Sequence, residues 1–428
     1  MECREKLLPV QSEEMSKIRY GVIGIGGMGG LHCRIAKENL GLDLVAVADV
    51  DEALLRKRAE ELKVRAFTDY REMLDAGIVD AVSIATPHNL HGTIGLDCLN
   101  AGVHVFIEKP LANCVSEADR MMQTASVKNL KICVGHQYRL HRSSVMMKEI
   151  IDSRALGRIL RVQWSWCEFR PERYYTRDLW RATWRHAGGG VLMNQASHDL
   201  DLLCWMIGKP LQVTALIGNQ LHQAEIEDTV CASVLFAGGA LASIQLTTNQ
   251  PKAYSIRQIA GEKGMIVVQD VQSLTDDEDE QILVGVYEGG LPDLLNQLTG
   301  IADQPKTEWR QVRLSRSNGF RRWLCRSELA TRAFEKIRGP QSRGPHPISV
   351  LMDSFSKAIA NGGSPLVSGE SARSTVELIN AIVLSAMRKK TVDLPLDRDE
   401  YDELFDELSA GKIRVPRLRE GLTAGSAG

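Results

Sequence analysis

The chain has 428 residues, 44% hydrophobic and 25% charged, with a formal net charge of −2 at neutral pH. That length exceeds an ordinary single core and predicts two domains. The near-neutral balance offers no field for nucleic acid or an anionic membrane surface, and no apolar run reaches the roughly 18 residues that cross a bilayer.

The 9 cysteines lie singly between Cys3 and Cys325, with no C-x-x-C pair and no zinc-ligand spacing. They read as reduced, mostly buried thiols of a cytoplasmic enzyme, and no metal site is expected. Residues 1–16 are polar and charged without an apolar signal core, and are expected to be a disordered extension, with Met15 as an alternative start.

From Ile18 to about Asp152, short β-branched runs alternate with amphipathic stretches. Strands are predicted at Ile18–Gly24, Leu44–Asp49, Ala81–Ala85, His104–Glu108 and Lys131–Gly135. Helices are predicted at Gly27–Asn39, Glu52–Glu61, Tyr70–Ala76, His91–Ala101 and Ser116–Lys128. This alternation predicts a doubly wound α/β domain with a parallel sheet covered on both faces, over residues 17–140.

After Ser153 the pattern changes. Strand-like runs at Gly157–Glu168, Leu211–Gly218, Val230–Phe236, Ala240–Thr247, Tyr254–Ala260 and Met265–Val268 follow one another, with one helix predicted at Asn194–Met206. Successive strands without intervening helices predict an antiparallel or mixed sheet in an α+β second domain, residues 141–410. An insertion is expected at about 273–345. It holds the acidic run Asp276–Glu280 and a basic stretch, Gln304–Gly344, interleaved with Trp309, Phe320, Trp323 and Phe334. That stretch reads as an amphipathic insertion or interface segment rather than a nucleic-acid patch. Helical periodicity returns at Ile348–Ala360 and Ala372–Met387, and residues 411–428 read as a flexible tail.

Gly24-Ile25-Gly26-Gly27-Met28-Gly29 matches G-x-G-x-x-G, follows the first predicted strand and opens a helix. Gly24 permits the tight turn, Gly26 the approach of a pyrophosphate, and Gly29 close helix–strand packing. The helix N-terminus, with Gly27 and Met28, faces the phosphates. Asp49 lies 20 residues beyond Gly29, at the end of the second strand, where a carboxylate bonds ribose hydroxyls and repels a 2′-phosphate. NAD is therefore favoured over NADP. Thr86-Pro87-His88 follows the predicted strand Ala81–Ala85 and is placed beside the nicotinamide, with His88 or Asn89 on the ribose or His88 simply on the loop surface. His91, Glu108, Lys109 and Gln137, near the following strand ends, complete the expected cofactor-facing set.

Glu108-Lys109-Pro110 ends a strand at the carboxyl edge where open α/β sheets bind ligands. A cis Lys109–Pro110 bond would aim the amine into the cleft. Downstream, Gly188-Gly189-Gly190 precedes Asn194 and His198, four residues apart on one expected helical face. His198 can accept a hydroxyl proton while hydride leaves the same carbon. Lys109 would hydrogen-bond that oxygen, and Asn194 would orient the hydroxyl or the imidazole. Asp201 would steer His198 or pair locally.

These motifs, with Glu227-Asp228-Thr229, Gly369-Glu370-Ser371-Ala372 and Val392-Asp393-Leu394-Pro395, make the chain from Ile18 to Leu396 resemble the glucose-fructose oxidoreductase / inositol dehydrogenase / rhizopine-catabolism (Gfo/Idh/MocA) family. The resemblance implies an N-terminal Rossmann domain and a C-terminal domain with a large open, mostly antiparallel sheet, whose outer face forms a homodimer or homotetramer contact. It also implies NAD(P)-dependent chemistry on sugars and cyclitols, with Lys109 and His198 in the active site. Many members carry Asp where this chain has Asn194, which favours substrate hydrogen bonding over proton transfer for this residue.

Substrate-side candidates are Lys109, Asn194, His198, Arg139 (or a structural ion pair there), and Trp180 with Arg181. The latter two lie in a region crowded by Trp164, Trp166, Tyr174, Tyr175 and Trp184, with Arg185 nearby. Aromatic faces there would stack on a sugar, or else form core. The primary expectation is an NAD-dependent dehydrogenase acting on a ring hydroxyl of a sugar, glycoside or cyclitol. A redox-cycling glycosidase or lyase that retains its NAD, and a non-enzymatic nucleotide-binding relative, are the alternatives.

Overall fold

A computed structural model describes residues 17–251, 255–270, 281–295, 297, 303–312 and 345–417. Six parallel strands form the first sheet: β1 (Ile18–Ile23), β2 (Leu42–Ala48), β3 (Arg65–Phe67), β4 (Ala81–Ile84), β5 (His104–Ile107) and β6 (Ile132–Val134). Their order, β3-β2-β1-β4-β5-β6, reverses direction between β1 and β4. That is the switch point at which doubly wound sheets bind dinucleotides. β4 is buried along its whole length because helices cover both faces. Asp51 and Asp69 start the helices Glu52–Leu62 and Tyr70–Asp75 by accepting from Leu54 N and Arg71 N.

Nine strands form the second sheet. They are β7 (Ile159–Cys167), β8 (Pro210–Gly218), β9 (Thr229–Phe236), β10 (Leu241–Thr247), β11 (Ser255–Gly261), β12 (Gly264–Asp270), β13 (Gln281–Tyr287), β14 (Thr307–Val312) and β15 (Val392–Asp393). The order is β14-β13-β12-β11-β7-β10-β9-β8-β15, antiparallel except for β7 beside β10. β8, β9 and β10 alternate buried and exposed residues, so one face is covered and the other open. The covering element is the helix Gly369–Arg388, which also packs on Ser197–Ile207 and Val115–Val127 and so joins the two sheets. Ser368 caps its start by accepting from Ser371 N.

Two expectations change. β13 and β14 fall inside the stretch read as an insertion, where they extend the second sheet in register, and Trp309 lies on β14. The chain also crosses the boundary drawn at residue 140 a second time. Pro347–Asn361 packs on the helix Gly27–Glu38 and on β5 and β6, and Val134 N donates to Val367 O. Residues 1–16, the acidic run Asp276–Glu280, Phe320, Trp323, Phe334 and the tail beyond 417 lie outside the described residues. Among the described residues no helix is long and apolar enough to cross a membrane, and the cysteines are free thiols, all buried except Cys231.

Candidate active site

The carboxyl ends of β1, β4, β5 and β6 line one edge of the first sheet. Gly24 turns there with φ 79°, and a Cβ on it would lie 2.8 Å from the Ala85 carbonyl oxygen. A Cβ on Gly29 would lie 1.7 Å from Gly24 O, so only glycine lets helix and strand approach this closely. Gly26, Gly27 and Met28 are exposed, and a Cβ on Gly26 would meet nothing within 4 Å. No side chain caps the helix that opens at Gly27. Its first N–H groups face an open cradle shaped for a pyrophosphate.

Asp49 Oδ2 accepts from Ile25 N at 2.7 Å and Oδ1 from Asp51 N at 2.9 Å, which fixes the carboxylate at the rim of that cradle. Thr86 Oγ1 and Gln137 Oε1 are buried without a partner among the described residues. A buried polar atom left so costs about 1–3 kcal/mol unless a ligand meets it. Both observations fit a bound dinucleotide.

Three residues expected to face the cofactor have structural partners instead. His91 lies between the carbonyls of Pro110 (Nδ1, 2.6 Å) and Thr86 (Nε2, 3.0 Å) and ties the two strand-end loops together. Glu108 accepts from His32 Nε2 at 2.9 Å. His32 Nδ1 in turn meets Ser83 Oγ at 3.1 Å, and Ser83 Oγ meets Tyr20 Oη at 2.6 Å, which makes a buried polar chain behind Glu108. Burial raises the Glu108 pKa, but His32 and Lys109 outweigh it and hold the carboxyl below its ordinary value. His88 is buried rather than on the loop surface, with Nδ1 on the Ala187 carbonyl (2.9 Å) and its ring edge-on to Trp180 at 4.9 Å.

The Lys109–Pro110 peptide is cis, and Lys109 Nζ donates to the backbone carbonyl of Asn194 at 2.5 Å. Burial pushes the Lys109 pKa down to about 8, with Arg181 and Arg170 adding to the shift and Glu108 opposing it.

Asn194 and His198 do not share one continuous α-helix. Val191–Gln195 winds as a π-helix, and a new α-helix, Ser197–Ile207, begins beyond Ala196. The π segment is held at its start by Glu227. This carboxylate accepts from Gly190 N (2.8 Å) and Leu192 N (3.0 Å), while the Glu227 carbonyl accepts from Val191 N (3.0 Å). A Cβ on Gly190 would lie 1.8 Å from Glu227 O, so the approach requires glycine. Asn194 Nδ2 is buried with no partner among the described residues.

His198 is 6% exposed, and its Nδ1 also lacks a partner among the described residues. Tyr138 stacks on the imidazole at 4.3 Å and 16°, and His136 meets it edge-on at 5.5 Å. Burial, followed by the charge on Lys109, drives the His198 pKa well below its ordinary value, so the ring is neutral.

Arg139 is a structural ion pair. Nε and Nη2 grip Asp201 at 2.7 and 2.6 Å, and Nη1 donates to Ser371 Oγ at 2.7 Å. This occupies both the predicted substrate arginine and the carboxylate predicted to steer His198. The aromatic region divides. Trp164, Trp166, Tyr175 and Trp184 are core, whereas Tyr174 and Trp180 are half-buried beside Arg181, and Arg185 is exposed.

Sequence reasoning missed Tyr138, His136 and Glu227 as parts of the site. Glu227-Asp228-Thr229 was a motif without a role, and no spacing rule connects it to Gly190.

Comparison with known proteins places these features in a family context. The model of the oxidoreductase family with an NAD-binding Rossmann fold matches residues 18–136, and that of the GFO/IDH/MocA C-terminal domain matches residues 145–267. Myo-inositol 2-dehydrogenase from Thermotoga maritima is 28% identical over 277 residues, 62% of this chain and 80% of the relative. Levoglucosan dehydrogenase from Pseudarthrobacter phenanthrenivorans is 25% identical, covering 59% and 74%. Among solved structures, the WlbA dehydrogenase from Bordetella pertussis in complex with NADH and UDP-GlcNAcA superposes with a TM-score of 0.68 at 26% identity, over 89% of this chain and 100% of that one.

Proposed function

From the chain's membership of the Gfo/Idh/MocA oxidoreductases, whose two domain models together span more than half of it, we propose that it is an NAD-dependent dehydrogenase acting on a ring hydroxyl of a sugar, glycoside or cyclitol. The carrying observation is the placement of Lys109, bonded to the segment that leads into the neutral His198, at the sheet edge beside the open glycine cradle. The relatives named as inositol and levoglucosan dehydrogenases support this substrate class.

The glycine turn, the helix N-terminus at Gly27, Asp49, Thr86 and Gln137 would hold NAD, which when bound supplies the hydride acceptor. Lys109, as the ammonium, donates to the substrate hydroxyl oxygen and stabilises negative charge growing on it. His198, neutral because it is buried, takes the hydroxyl proton. Asn194 Nδ2 offers a buried donor that lacks an acceptor among the described residues and fits a neighbouring substrate hydroxyl. Tyr138 covers one face of His198 and fixes its plane.

The free thiols of the described cysteines support a cytoplasmic location. Leu216, Cys231 and Gln245 lie in register across the open face of β8, β9 and β10, which supports a dimer or tetramer through that sheet.

The test is NADH formation from NAD with a panel of cyclitols, sugars and glycosides, with Lys109→Ala as control. Lys109-dependent NADH with one class supports the reading. Sugar release from a glycoside with no net NADH would replace it with redox-cycling elimination.

A further inference from the structure

Beside Tyr174 lie two arginines that the mechanism does not use. Arg170 follows β7, and Arg181 sits on the short turn Leu179–Ala182. Their guanidinium groups flank the Tyr174 ring at 5.2 and 5.1 Å, and Arg181 also stacks on Trp180 at 4.7 Å. Stacking of this kind holds a planar guanidinium in one orientation.

Each arginine has one carboxylate partner. Arg170 Nη1 donates to Glu168 at 2.9 Å, and Arg181 Nη1 donates to Asp178. The Nε of both is buried without a partner among the described residues. Both charges reach Lys109 and depress its proton affinity. Trp180, on which Arg181 stacks, packs edge-on against His88 at 4.9 Å, which places this arginine beside the loop that follows β4. Glu108 opposes both arginines at Lys109, while its carboxylate also accepts from His32. Cations crowded around Lys109, with buried donors unfilled, suit an oxyanion: it would accept from the empty donors and relieve the mutual repulsion.

We propose that the substrate carries an anionic oxygen group, a carboxylate or phosphate on the sugar or cyclitol, seated by Arg170 and Arg181 while the reacting hydroxyl sits at Lys109. The proposal rests on the dehydrogenase reading for the position of the hydroxyl, but the anion site itself is tested by binding.

The full-length enzyme, saturated with NADH, is titrated calorimetrically with matched sets: a hexose, its uronate and its phosphate, and an inositol with its phosphate. The expected result is that one anionic member binds at least about tenfold more tightly than its neutral parent, the worth of one charge-assisted hydrogen bond. The preference should shrink about tenfold or more in Arg170→Gln and Arg181→Gln, and only partly in Arg181→Lys, which keeps the charge but loses the fork. Uronate-only or phosphate-only binding identifies the source, and either supports the proposal. Equal or tighter binding of the neutral parents overturns it, as does an anion preference unaltered in both glutamine variants. Turnover with NAD is read separately. Anion-selective binding without any NADH formation would retain the anion site and overturn the dehydrogenase reading.

Discussion

Lys109 Nζ is held 2.5 Å from the main-chain oxygen of Asn194, not by the Asn194 side chain. The amine at the end of β5 is thus fixed by backbone geometry, and the side chain of Asn194 is left to meet substrate. The two residues are 85 apart in sequence. Their contact depends on the π segment and on Glu227, which anchors it.

Lys109→Met is expected to lower kcat by about 10²–10⁴-fold while NADH binding, read by fluorescence titration, changes little. Because the Lys109 pKa is about 8 and the ammonium is the active form, kcat/KM should fall as pH rises through about 8. A rate that instead climbs through that pH would make Lys109 the base and His198 its support.

Burial raises the Glu227 carboxyl from 4.5 to about 7. The folded state then binds a proton that the unfolded chain has released, so this group's contribution to stability is fully present below about 4.5 and is lost as pH rises through about 7. Buried histidines such as His136, depressed to about 4 by burial, work in the opposite direction at acid pH. The urea midpoint of Glu227→Gln minus that of the wild type, followed from pH 4.5 to 8, isolates the Glu227 share. The difference should grow in favour of the variant as pH rises, and a flat difference would show that Glu227 keeps its ordinary pKa.

Arg139→Met leaves the buried Asp201 without its partner and should cost about 3–5 kcal/mol of stability. Urea denaturation measures this. If Arg139 served substrate instead, the midpoint would hold and KM alone would rise.

Asp49→Ala removes the carboxylate at the rim of the cradle, which Ile25 N and Asp51 N hold in place. NAD should bind roughly tenfold more weakly, and the ratio of kcat/KM for NADP over NAD should increase. An unchanged cofactor ratio would mean that another group excludes the 2′-phosphate.

Much of this molecule is written locally. Alternating β-branched runs and helices determine the parallel sheet, because a strand buried on both faces must be apolar throughout. The glycine fingerprint determines the cradle, because a Cβ at Gly24 or Gly29 collides within the motif or with the next strand's end. Lys109 and His198 stand out in the sequence as candidate site residues through their motifs. Tertiary structure alone decided which polar residues remain free for chemistry. Arg139, His91 and Glu108 were plausible ligands by position, yet Asp201, two backbone carbonyls and His32 take them. Glu227 looked incidental, yet it anchors the segment on which Lys109 rests. The physical reason is that a buried polar group is satisfied by whatever the fold brings within about 3 Å, and such partners lie tens to hundreds of residues away, beyond the reach of any local pattern.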